Sequence, residues 1–149
     1  MASTAPATVA LGPFSPGIFS VQFGVGQAIA FFADGVLAAP VNSIPGLTTR
    51  PAKVGDTVII FATGLGAVDP PAQTGKQPAT LTRATSPPVV LIGGVPATVA
   101  FAGLSPQFPG VNQINVVVPQ GVVPGDALPL QIQVGGITTT DKVTMAVSP

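Results

Sequence analysis

Five aspartates, Asp34, Asp56, Asp69, Asp126 and Asp141, are the only acidic side chains in this sequence, which also has no His, Cys, Tyr or Trp. General acid–base catalysis, thiolate attack and soft-metal ligation draw on side chains that are absent here. No aspartate lies within six residues of another, so no Asp-x-Asp metal loop is written locally. A glycosidase-type pair would need two of them held across a cleft. Asp34-Gly35 and Gly125-Asp126 sit instead where aspartate caps turns. The seven serines, at 3, 15, 20, 43, 86, 105 and 148, have no Gly-x-Ser-x-Gly elbow and no histidine base. A Lys–Asn crosslink would have to join Lys53, Lys76 or Lys142 to Asn42, Asn112 or Asn115, with a carboxylate beside a buried lysine. The residues predict a non-enzyme with no catalytic residue, no cofactor and no metal.

Two glycine-rich stretches resemble nucleotide loops. Gly24-Val25-Gly26-Gln27-Ala28-Ile29-Ala30 is followed by a β-type run where a dinucleotide fold needs a helix, and Thr63-Gly64-Leu65-Gly66 lacks a following Gly-Lys-Ser/Thr. Both read as turns. Three Lys and two Arg, dispersed, make no basic stripe, so nucleic acid is not an expected partner. No run of 18 apolar residues is present, so no transmembrane helix or membrane insertion is expected. Residues 1–25 hold no Lys or Arg and do not form a secretory signal. Charged residues are only 7% of the chain, against about 25% in an ordinary soluble domain. Such a surface is either covered by other copies of itself or is a Thr/Gln/Gly-rich face of an extracellular monomer.

The elements that must position these residues are strands. Eighteen Pro and eighteen Gly punctuate β-branched runs without repeating. Expected strands are Ala7–Leu11, Ile18–Phe23, Gln27–Ala33 (ended by an Asp34-Gly35 turn), Val89–Ile92, Val95–Ala102, Asn112–Val118, Leu128–Val134 and Lys142–Val147. Gly93-Gly94 and Gly135-Gly136 read as tight turns. Asp56–Thr63 is almost wholly apolar and reads as a strand buried on both faces. Gly64–Pro88 reads as a long, functional loop. Phe31, Phe32, Phe61 and Phe101 are expected in the core; Phe14, Phe19, Phe23 and Phe108 are core or contact surface. The fold class is all-β, an antiparallel sandwich, in one domain.

The segment GGVPATVAFAGLSPQFPGVNQINVVVP from Gly93, together with SPGIF (15–19), GQAIAFFADG (26–35), GDTVIIFATGLGAVDPP (55–71) and PGDALPLQIQVGG (124–136), resembles the Solibacter-type uncharacterised C-terminal domain. That family stands at the ends of secreted or surface bacterial proteins. The resemblance implies an immunoglobulin-like antiparallel β-sandwich over 18–149, an extracellular or bacterial cell-surface location, and no catalytic residues. It also implies that residues 1–17, containing ATVALGPFSPGIF up to its last two residues, form an N-terminal β arm and linker matching the last strand of a preceding sandwich. An unpartnered strand seeks another chain, and donation to a neighbour builds open filaments. Thr8, Val9, Ala10, Leu11, Phe14, Ile18 and Phe19 are the candidate assembly interface. The residues support two functions: a self-assembling structural subunit, or a surface-displayed adhesion module meeting a glycan or protein through 64–88. For the arm itself, folding back onto its own domain competes with pairing in trans.

Overall fold

Thr57–Thr63 shows how this chain builds its centre. Val58, Ile60 and Ala62 are fully buried, while Ile59 and Phe61 between them are only half-buried. Period-two alternation gives this strand one core face and one outer face, so the expectation of burial on both faces is corrected.

The computed structural model describes residues 4–149. Its strands are β1 (Gly17–Ile18), β2 (Val25–Gln27), β3 (Ala30–Phe31), β4 (Leu37–Ala38), β5 (Thr49–Arg50), β6 (Thr57–Thr63) and β7 (Val68–Asp69). They continue with β8 (Arg83–Ala84), β9 (Val89–Ile92), β10 (Val95–Leu104), β11 (Asn112–Val117), β12 (Gly125–Val134), β13 (Ile137–Thr138) and β14 (Lys142–Val147). None of the described residues is helical. The main sheet runs β2-β14-β12-β9-β10-β11-β6-β3-β4-β5, with β1 also on β6 and β13 on β12; β7 and β8 form a separate ladder. The protein is an all-β, sandwich-like fold made from one curled sheet.

Two long strands do the curling. In β10, Val95–Ala97 pair with β9 and Thr98–Leu104 with β11, with an irregularity between Val99 and Phe101. In β12, Gly125–Pro129 pair with β14 and Leu130–Gln133 with β9, with a register shift between Gly125 and Leu128. Such shifts bend a strand and increase its twist. Pro129 lies at the changeover of partners, where a missing N–H is tolerated. The two sheet ends approach at Ala52, whose N–H donates to the Ala146 carbonyl (2.9 Å) and whose carbonyl accepts from Ser148 N–H (2.7 Å). The core fills the space between: Ile60, Ile114 and Val116 from one half, Val90, Leu130, Ile132 and Met145 from the other, all fully buried.

The purely antiparallel expectation is corrected. β2 runs parallel to β14 and β4 parallel to β5. The expected strand Gln27–Ala33 is divided, because the chain leaves β14 after Gln27 and joins β6 at Ala30. The expected strand Ile18–Phe23 stops early. Beyond a single bridge from Ser20 to Ala28 the chain turns, Ser20 Oγ accepting from Gly24 N–H at 2.7 Å and Phe23 taking φ 54°. A local side-chain hydrogen bond has displaced the ladder. The Gly93-Gly94 and Gly135-Gly136 turns have positive φ at both glycines, the type I′ geometry that matches strand twist. Phe32 is buried, whereas Phe31, Phe61 and Phe101 are half-buried.

Candidate assembly surface

The chain enters the fold at Phe14. Its ring lies over Gly66 and Gly135, where a Cβ on either glycine would collide with ring carbons. Ser15 N–H donates to the Gly64 carbonyl at 3.0 Å. Gly17 and Ile18 then pair with Thr63 and Ala62, and Ile18 N–H also donates to Asp141 Oδ2 at 3.0 Å. Phe19 N–H donates to the Phe61 carbonyl (3.1 Å), and Phe19 accepts from Ile29 N–H (2.8 Å).

Upstream, the expected strand Ala7–Leu11 is absent: residues 4–12 have no strand structure and are exposed throughout. Val9 is 76% exposed and Leu11 94%. Among the described residues, no hydrogen bond ties 4–12 to the rest of the chain. The seven interface candidates therefore separate. Thr8, Val9, Ala10 and Leu11 are free. Ile18 is buried in the core and Phe14 packs against it, so both are used within their own domain. The attachment of the arm accordingly starts at Phe14, upstream of the boundary expected between 17 and 18.

Phe19 belongs to a different surface. Ile59 and Phe61 point outward from β6, and Phe31 sits opposite Ile59 on β3. Phe61 meets Phe31 edge-on at 6.4 Å between centroids and Phe108 at 5.5 Å. Together with Phe19, Ile29 and Val111 these rings line a groove of about 220 Å³ whose six lining residues are all apolar. Phe19 is 42% and Phe108 49% exposed. Phe108 is placed by Ser105, which is fully buried. Ser105 Oγ accepts from the Gln107 and Phe108 amides (3.2 and 3.3 Å), and its own N–H donates to the Val111 carbonyl (2.8 Å). Sequence reasoning missed this groove because Val58–Ala62 is apolar at every position and carries no period.

Several ionisable groups have structural partners. Asp34 Oδ1 accepts from Val36 N–H. Asp56 Oδ2 accepts from Arg50 Nη1 and Lys53 N–H, both at 3.0 Å. Burial pushes the Asp56 carboxyl up, but the Arg50 and Lys53 hydrogen bonds and charges together hold it below the usual aspartate range. The Arg50 guanidinium lies 3.4 Å from the Phe32 ring centroid, a cation–π contact at the rim of the core. Asn112 Oδ1 accepts from Leu65 N–H, and Asn115 Oδ1 from Gln113. Among the described residues, no three His, Cys, Asp or Glu side chains come together as a metal site.

Residues 64–88 are more ordered than a loop reading implies. Val68–Asp69 and Arg83–Ala84 pair. Thr82 is buried and its Oγ1 accepts from Leu104 N–H at 3.1 Å. Beyond that ladder a cleft of about 310 Å³ is bordered by Pro70, Gln73, Lys76, Gln77 and Thr80.

Comparison with family models, with curated proteins and with solved structures finds no match to this chain.

Proposed function

We propose that this chain is a non-enzymatic, extracellular structural subunit that self-assembles into filaments by giving its N-terminal segment to a neighbouring copy. The observation that carries this reading is the contrast across Leu11 and Phe14. From Phe14 onward the chain is pinned by ring packing and main-chain hydrogen bonds. Before it, Val9 and Leu11 hold their side chains in water. Burying two such side chains would contribute about 1.5–3 kcal/mol each, and their unpaired amides and carbonyls are ready to join another chain. Donor and acceptor are different patches, so the contact repeats head to tail, and a repeat whose rotation does not close extends as a filament. The side-chain inventory and the resemblance to a secreted bacterial domain support a structural role outside the cell. Small-angle X-ray scattering over a concentration series tests the reading: growing, rod-like particles are expected, and a compact monomer at high concentration would overturn it.

A second reading, a surface-displayed adhesion module, is favoured by the ordered base and exposed tip of 64–88. A glycan or surface protein would meet the cleft at 70–80. Deleting 72–77 should then abolish retention on a surface array, and undiminished retention would contradict it.

A further inference from the structure

We propose that the phenylalanine groove on the outer face of β3 and β6, bordered by Phe19 and by Phe108 and Val111 ahead of β11, is the acceptor for residues 7–11 of a second copy of this chain. The inference rests on the self-assembly reading and supplies its missing half. The groove has an apolar floor in Phe31 and Phe61 and an open rim in Phe19 and Phe108. In an extended segment, Ala7, Val9 and Leu11 face one way. They form one apolar edge with side chains about 6.6 Å apart, facing a groove whose six lining residues are all apolar. Val9 and Leu11 would lie along the apolar lining formed by its packed phenylalanine rings.

Chain direction selects a second copy. β1 runs antiparallel to β6, with Gly17 beside Thr63 and Ile18 beside Ala62. Tracing back from Ile18, the arm moves past Thr63 to Gly64 and Gly66, away from Phe61. Phe14 and Ser15 are both held there, so the arm leaves its own domain pointing away from its own groove. Neither residues 4–16 nor the groove lining includes a charged side chain, so nothing on either surface selects a charged partner.

The chain has no cysteine, which makes thiol trapping clean. Full-length Leu11→Cys and Phe108→Cys variants, one carrying a mass tag, are mixed under mild oxidation. Docking raises the local thiol concentration, so mixed disulfide dimers should exceed either homodimer by about tenfold. Phe19→Cys, at the opposite rim, serves as a second acceptor and keeps the test valid if Phe108→Cys does not fold. Filaments without mixed dimers at either acceptor would overturn this inference and leave the proposed function standing. Neither filaments nor mixed dimers would overturn both. A Leu11→Cys/Phe108→Cys double variant that closes only an intramolecular disulfide would place the arm in cis and overturn the inference.

Discussion

The Ile18 amide donates to the carboxylate of Asp141 at 3.0 Å, across 123 positions of sequence. β1 is only two residues long and has just Gly17 and Ile18 in register with β6, so this bond ties it to the start of β14 as well. Hydrogen bonds to a charged group contribute about 1.5–3 kcal/mol, with the lower end expected for a half-buried acceptor. Asp141→Ala should therefore lower the free energy of unfolding by about 1–2 kcal/mol. Asp141→Asn keeps an acceptor oxygen and should lower it less. Urea denaturation of the two variants measures the difference; equal losses would show that the bond to Ile18 is not the cause.

Phe14 and Gly135 are expected to act as one device. Phe14→Ala removes a partly buried ring and should cost about 2 kcal/mol, below the range for a fully buried phenylalanine. Gly135→Ala places a Cβ where the ring lies, on a backbone at φ 56°, and should destabilise by more than about 1 kcal/mol. Both should also free the chain upstream of β1. Thermal unfolding measures the first effect, and limited proteolysis between residues 12 and 17 should accelerate in both variants.

Ser105 is predicted to hold the groove rim. Removing its hydroxyl in Ser105→Ala leaves the Gln107 and Phe108 amides without their acceptor, at a cost of about 1–2 kcal/mol. Amide hydrogen exchange at Gln107 and Phe108 should rise while that at Ile60 and Ile114 stays unchanged. Unaltered exchange at 107 and 108 would remove Ser105 from this role.

Asp56 makes stability depend on acid. Its folded carboxyl is held below the usual range by Arg50 and Lys53 against the opposing effect of burial. The unfolded group titrates at about 3.9. Its contribution is present above that value and fades as pH falls through the lower, folded one. Arg50→Ala should flatten the stability profile below about pH 4 and should also loosen packing over Phe32. Because the pair is part-exposed, the effect is modest and shrinks at high salt. Denaturation midpoints at pH 2–5, with and without the substitution, check the sign.

What the chain spells out locally, it spells clearly. The Gly-Gly pairs at 93–94 and 135–136 form turns because two successive positive φ angles all but require glycine there. Leu130, Ile132 and Val134 alternate with Gln131 and Gln133 and are buried as that alternation implies. Where both faces of a strand are apolar, the code is silent: nothing in Val58-Ile59-Ile60-Phe61-Ala62 says which residues face in. The outward placement of Phe61 depends on Phe31 and on Phe108, which is held by Ser105, all distant in sequence. The parallel pairings of β2 and β5 also depend on distant partners and escape local reading. Thr8–Leu11 are legible as a β-capable run without an assured partner, but whether they fold back onto their own domain stays open in the sequence, because that depends on contacts far along the chain. Over the described residues they form no strand and no hydrogen bond to it.

The most direct test of the central claim is negative-stain electron microscopy of the full chain beside a version lacking residues 1–12. Over the residues described, the removed segment is exposed and makes no hydrogen bond to its own domain, so the shortened protein should keep its fold. Filaments formed only by the full chain are the predicted result. Discrete particles of one size from both proteins would contradict it.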